Sequence, residues 1–290
     1  MASKRSTGVV LWILALLIML AAATYQRRTG PTYPLDVTVD VAGQTVEVEL
    51  PRSATTDAPA TVTWPAHADV DRVWLVWKRY PSEDPPSRVA FGPDGTAELP
   101  VQPAAGKLEY HLLVRTHAGQ DLLLPPGQDP PVLRYKDPVP LAALLPHVVM
   151  MFLSMLLGVR AALASVAGRN ETRWLVPLTA VGLTLGGMIL GPVVQKYAFG
   201  AYWTGWPLGG DLTDNKTLLM WVVWAATAIA LAVRPSLRPR WTGRAMILVA
   251  TAVMLAVYLI PHSLRGSQLD YEALESGVDA HEAIRTGKTE

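Results

Sequence analysis

Apolar and polar positions follow two different rhythms along this chain. Five stretches, residues 9–24, 141–164, 174–194, 217–233 and 245–260, are apolar on every side and contain no Asp or Glu. An α-helix rises about 1.5 Å per residue, so each stretch approaches the roughly 20 residues that cross a hydrocarbon core about 30 Å thick. The pattern predicts five membrane spans. Arg160 is the one charged residue inside them, near the end of the second, where a long side chain is expected to snorkel to the headgroups. The first run is short and follows Lys4 and Arg5, which fits a membrane anchor or a cleaved signal peptide, with the anchor preferred.

Between the first and second runs the rhythm changes to a period of two. Residues 35–41 alternate strictly, Ala42-Gly43 interrupts them, and Val46, Val48 and Leu50 resume the alternation, as in a hairpin. Further strands are expected at 60–64, 72–78, 88–91, 96–99, 107–116, 121–124 and 132–135, with a GPDG turn at 92–95. Such short strands, punctuated by Pro and Gly, predict a small sandwich of immunoglobulin or fibronectin type, its core including Trp74, Trp77 and Tyr80. The fold class expected is therefore a membrane α-helical bundle, one N-terminal span plus a four-helix unit, with an extracytoplasmic all-β immunoglobulin/fibronectin-like sandwich.

Basic loops orient the spans, because Lys and Arg near span ends are retained in the cytoplasm. Lys4 and Arg5, then Arg169 and Arg173, then Arg234, Arg238, Arg240 and Arg244 mark three cytoplasmic segments, which alternation of five spans allows; Arg27 and Arg28 count against it. The expected organisation is a cytoplasmic N-terminus at 1–8, a first span or signal anchor at 9–25, and a periplasmic sandwich at 33–137. A four-helix unit at 141–262 with an outer loop at 195–216 follows, and then a polar, mobile outer tail from 263 to 290. The setting implied is a bacterial inner membrane.

Composition narrows the chemistry. Half of the 290 residues are hydrophobic, 17% are charged, and the net charge of +1 gives no field for nucleic acid. The absence of cysteine removes disulfides, thiolate metal sites, covalent haem attachment through CxxCH and thiol catalysis. Histidine and carboxylates must carry any ligand chemistry. The topology puts His147, at the outer end of the second span, on the same face as His262, after the fifth, and as the aromatic segment with Tyr197, Phe199, Tyr202, Trp203 and Trp206. Two imidazoles on opposite sides of a macrocycle would make a b-type haem site walled by these rings. The plainer alternative is that both histidines, each after a proline, end their spans, and that the aromatics form an interfacial belt.

Other candidates are weaker. Asp211 and Asp214 suit a hard cation or, by default, the capping of the next helix, with Thr213 or Asp214 as N-cap. Lys196 and Lys216 border the same loop and could pair with haem propionates or lipid phosphates. His67, His111 and His117 are scattered through the sandwich and form no triad, His111 reading as a strand-surface residue.

The stretch LTLGGMILGPVVQKYAFGAYWTGW at 183–206, followed by DNKTLLMWVVWA at 214–225, resembles the tryptophan-rich signature of the cytochrome c assembly, or haem-handling, membrane proteins. There a Gly-rich helix end leads to WGxxWxWDPKxT and an apolar helix. Phe199-Gly200 stands here for Trp-Gly, Trp203 for the second Trp, Trp206 one place late for the third, and Asp214 and Lys216-Thr217 for the closing residues. PHVVMMF at 146–152 is similar to the family's outer histidine, WTGRAMILVATAVML at 241–255 to its basic turn and next helix, and His262 to its second outer histidine. The resemblance spans about residues 144–271. It implies haem b held by His147 and His262 through its iron, with Phe199, Tyr202, Trp203 and Trp206 as wall. The implied role is a haem carrier or assembly factor that makes and breaks no bond itself, with membrane lipid and cytochrome or cytochrome-assembly proteins as partners. The rival functions are a non-enzymatic scaffold whose sandwich binds a partner protein, and a b-type electron-transfer subunit.

Overall fold

The computed structural model describes residues 2–41, 43–65, 70–261 and 267–286, with side chains from residue 7 onward. The chain divides into two compact units. One combines residues 31–138 with 267–286 and is built mainly of strands; the other, residues 1–30 and 139–266 with 287–290, is helical.

In the strand unit, β1 (Leu35–Val41) and β2 (Gln44–Leu50) form the expected hairpin, with Val37 opposite Val48 and Val39 opposite Val46. Gly43 turns the chain at φ +82°, a conformation natural to glycine. The strands that follow are β3 (Ser53–Thr55), β4 (Ala60–Thr63), β5 (Arg72–Arg79), β6 (Ser87–Ala90), β7 (Thr96–Leu99), β8 (Lys107–Arg115), β9 (Asp121–Leu124) and β10 (Val132–Lys136). The larger sheet runs β3-β10-β8-β5-β6, with β9 also on β8; β4 pairs β7 separately. All pairings are antiparallel except β3 with β10. Alternation decides which side chains meet. Leu108, Tyr110, Leu112 and Val114 of β8 are buried with Val37, Val46, Val48, Leu50 and Val62 in one core shared by the larger sheet and both two-stranded pairs.

The aromatic residues of β5 divide by the same parity. Trp77 packs against this core, but Trp74 lies on the opposite face of the sheet, under the guanidiniums of Arg88, Arg115 and Arg72 at 4.8, 5.4 and 5.8 Å from its ring centroid. Tyr80, beyond the strand, is exposed. Of the three aromatics expected in the core, Trp77 packs partly buried against it, Trp74 is buried on the other face of the sheet, and Tyr80 is exposed.

The segment expected to be a mobile tail is packed into this unit. Strands β11 (Gln268–Leu269) and β12 (Ile284–Arg285) pair around a short helix, and Leu269, Tyr271 and Ala283 form a small core of their own. The Tyr271 hydroxyl accepts from the Lys107 amide and lies 3.0 Å from the Lys107 carbonyl, while Arg79 stacks over its ring and bonds Glu275. His281 Nε2 is 2.8 Å from Asp137. A polar composition concealed this because the contacts are hydrogen bonds and ion pairs to the strands, not an apolar periodicity.

The helical unit contains five helices long and apolar enough to cross a membrane, which supports a membrane protein. They are α1 (Ala2–Thr29), α2 (Leu141–Val166), a composite of α3 (Thr172–Leu183), a π-helical segment (Thr184–Leu190) and α4 (Gly191–Phe199), then α5 (Leu212–Val233) and α6 (Trp241–Leu259). Ala15, Met19 and Ala22, spaced along one face of α1, belong to the same core as Met155, Leu183, Trp224 and Met254. The first helix is thus an integral member of the bundle. Glycines let backbones approach: a Cβ on Gly182 would overlap the Ser154 hydroxyl, and one on Gly158 would strike Met254.

Arg160 does not snorkel. It is fully buried, ion-paired with Glu171 in the α2–α3 connection and stacked over Trp12 of α1 at 5.3 Å, while Trp12 stacks on Trp174. Glu171 also bonds Arg169. Burial raises the Glu171 pKa, but Arg169 and Arg160 outweigh this and hold it below the usual carboxylate range. A carboxylate one turn away was a nearer partner than the headgroups.

Candidate functional site

The expected site lies at the end of the helical unit where α2 begins and α6 finishes. Pro146 and His147 stand in the first turns of α2. The π-helical segment widens the third span by one residue per turn opposite them, and the Gly186 carbonyl, which accepts from the Gly191 amide, lies 2.9 Å from His147 Nδ1. A carbonyl can only accept, so Nδ1 carries the proton and Nε2 keeps its lone pair. Gly186 sits so close to α2 that a Cβ there would press on Met150 and Met151, while a Cβ on Gly191 would make ordinary contact with the His147 ring at 3.7 Å. The Gly-Gly pair at 186–187 is the sequence signal for this approach.

The same end is tied across the bundle. Tyr258 of α6 donates to the Met151 carbonyl at 2.8 Å, one helical turn below His147, and Lys216 of α5 donates to the carbonyls of Ile260 and Pro261. Lys216 is therefore buried and engaged rather than lying at an exposed edge. His262, like His67, falls outside the described residues. His111 sits half-buried on the outward side of β8, where burial lowers its pKa.

The aromatic connection is shorter and stiffer than expected. Helix α4 continues to Phe199, so Tyr197, Phe199 and Lys196 are helical, and Gly200 closes the helix at φ +80°. Helix α5 begins at Leu212 with Asp211, not Thr213 or Asp214, as N-cap; its carboxylate accepts from the amides of Thr213 and Asp214. Asp214 is left free to accept from the Thr204 amide at 2.7 Å, and Asn215 holds the Trp206 amide at 2.6 Å. Gln195 donates to Thr204, and Trp203 Nε1 to the Trp206 carbonyl. These bonds tie residues 200–211 into a hydrogen-bonded loop with an apolar tip, where Tyr202 is 60%, Trp206 69% and Leu208 78% exposed. Trp203 and Phe199 are half-buried. Both carboxylates of the loop accept hydrogen bonds within this scaffold, and among the described residues no three His, Asp or Glu side chains gather as a metal-binding group.

Three basic segments approach one another elsewhere in this unit. A Cβ on Gly8 would lie 3.3 Å from Arg169 Nη2, and one on Gly168 3.7 Å from Arg244 Nη2. The arrangement offers one oriented imidazole against the start of α4 and an aromatic loop that follows the end of α4, with the basic residues at the opposite ends of the helices. No protein family, curated protein or solved structure matches this chain.

Proposed function

We propose that this is a haem-binding or haem-handling protein of a bacterial inner membrane, serving cytochrome c assembly, with His147 and His262 as axial ligands. The observation that carries the reading is the His147 Nδ1–H bond to the Gly186 carbonyl. Ligating histidines characteristically donate their second ring N–H to a carbonyl, which sets ring orientation and leaves Nε2 for the metal. Tyr258 at Met151 brings the chain leading to His262 within a helical turn of His147, and Tyr202 and Trp206 are largely exposed, with Lys196 Nζ 5.8 Å from the Tyr202 ring centroid. Phe199 and Trp203 complete the wall. Haem bound there supplies one-electron chemistry or is itself cargo; the chain's residues bind it, orient it and exclude water.

Topology supports the membrane setting. Four apolar spans separate the two chain segments of the strand unit, and an even number of crossings returns a chain to the side it left. The basic residues at the start of α1, in the α2–α3 connection and at the start of α6 favour a cytoplasmic location for the opposite side, and so a periplasmic strand unit. The immunoglobulin-type reading of that unit rests on a larger sheet and two strand pairs that share one core.

The test is a haemin titration of the detergent-purified full chain, followed at the Soret band. The expected result is a six-coordinate spectrum that His147→Ala and His262→Ala each abolish while the far-ultraviolet circular dichroism is unchanged. A colourless wild-type protein overturns the proposal. The scaffold reading has one observation in its favour, the ring of three arginines around Trp74, and it predicts that both histidine variants assemble their complex normally.

A further inference from the structure

The larger sheet ends at β6, which among the described residues pairs β5 alone, and all four residues of β6 are exposed. The Phe91 amide, just past β6, donates to the Val73 carbonyl, and hydrogen-bonding residues alternate along an antiparallel pair. Val89 therefore turns its main chain toward β5, whereas Arg88 and Ala90 turn theirs toward the open edge. Val89 lies opposite Leu75, a fully buried core residue, yet is itself 41% exposed. The edge thus leaves both main-chain hydrogen-bonding groups and a piece of the core uncovered.

The other face of the same edge is positively charged. Arg88 lies one row to one side of Trp74, and Arg72 and Arg115 stand opposite each other one row to the other side, so three guanidiniums converge on one indole. Like charges directly opposite in a sheet are unfavourable. Asp121 relieves Arg115 by accepting two hydrogen bonds, at 2.7 and 2.8 Å. Among the described residues Arg72 and Arg88 have no carboxylate partner, in a unit with 20 Asp and Glu against 10 Lys and Arg. Pro85-Pro86, just before β6, cannot donate and so confine further pairing to Arg88 and Ala90. A cation on so short an edge strand repels basic segments and admits acidic ones.

We propose that β6 is a docking edge for an extended segment of a partner protein, added as a further strand, in which acidic residues alternate with apolar ones. A residue paired with Arg88 or Ala90 would share their face, and one paired with Val89 would share the core side. Carboxylates at the first positions meet Arg88 and, across the small Ala90, the cations over Trp74; an apolar side chain at the second covers Val89. In strand addition the main-chain bonds supply affinity and the alternate side chains specificity. The inference is independent of the haem reading, since β6 lies wholly within the strand unit.

The experiment is fluorescence anisotropy of a fluorescein-labelled peptide in which glutamate and valine alternate, titrated with the full chain in non-ionic detergent. Arg88→Gln is expected to weaken binding about tenfold, as the loss of a charge-assisted bond, and Lys136→Gln, which removes an exposed cation of β10, to leave it within about twofold. Ala90→Pro removes an amide that faces away from β5 and puts a ring in its place, so it is expected to abolish binding while the sheet stays intact. Binding with this pattern supports the proposal. Absence of binding, equal binding of the lysine-valine counterpart, or binding retained by folded Arg88→Gln or Ala90→Pro overturns it. Thermal melting checks folding; if Ala90→Pro melts early, the same peptide N-methylated at every residue takes its place and must fail to bind. Dimers of the peptide-free chain that Ala90→Pro dissociates would make a second copy the occupant and also overturn the proposal.

Discussion

The two units of this protein sort their side chains by opposite rules. In the strand unit the large apolar residues are inside, and few of them, such as Leu123 and Val89, reach the surface. In the helical unit Leu153, Leu178, Ile229 and Val249 are exposed, whereas Ser154, Thr179, Thr227, Thr251 and Arg160 are buried. The difference reflects the solvent each unit answers to. In water, apolar area removed is the driving force; between lipid tails and leucines there is no such gain, so helices associate through small residues, close backbones and polar bonds. Thr251, which bonds both the Ile247 and Gly158 carbonyls, and Trp221, which donates to Thr184, are examples.

Substitutions can break this contrast at points of decreasing effect. The largest is expected at the buried ion pair: Glu171→Ala leaves Arg160 charged without its partner and should cost about 3–5 kcal/mol. Adding Arg160→Met to the same chain should recover most of that loss, read as the melting temperature in detergent. Next, Leu112→Ala in the strand core should destabilise by about 2–4 kcal/mol, whereas Ile229→Ala on the exposed side of α5 should change stability by less than about 0.5 kcal/mol. Equal effects at these two positions would erase the distinction between the units.

Lys107 gives a smaller, pH-dependent effect. In the folded chain it releases its proton near pH 8, and unfolded near about 10.4. Between these values the unfolded chain binds more protons, so stability should rise with pH across that window, by about 1–2 kcal/mol given partial exposure. Lys107→Met should flatten the rise in urea titrations at pH 7.5 and 10. The mildest is Tyr271→Phe, which removes the hydroxyl that bridges the Lys107 main chain; about 1 kcal/mol should be lost. Its signature would be faster proteolysis of residues 267–286, with the helical unit untouched.

Much of the fold was legible because each rhythm has one physical meaning. The alternation of 35–41 located β1 to the residue and that of 46–50 located β2 to within two residues of its start, and five runs without carboxylates located five helices. Other features left no periodic trace. Arg160 looked like a residue reaching for headgroups because sequence separates it from Glu171, which the α2–α3 turn brings back. Trp74 looked like core because an indole is apolar, although its register puts it under three guanidiniums. At the candidate site His147 and the aromatic loop could be named from topology and resemblance. The Gly186 carbonyl, the Asn215 and Asp214 bonds that stiffen the loop, and the engagement of Lys216 could not.

The sequence by itself determined the five long helices and most of the strands, and which thiol and disulfide chemistries are excluded, since these depend on local pattern and composition. Tertiary structure alone decided which tautomer His147 holds, that residues 267–286 join the strand unit, and that Arg72 and Arg115 stand opposite each other beside Trp74. Each of those depends on partners dozens to hundreds of positions apart along the chain. A directional hydrogen bond or a clash of like charges exists only once the backbone has brought them within a few ångströms.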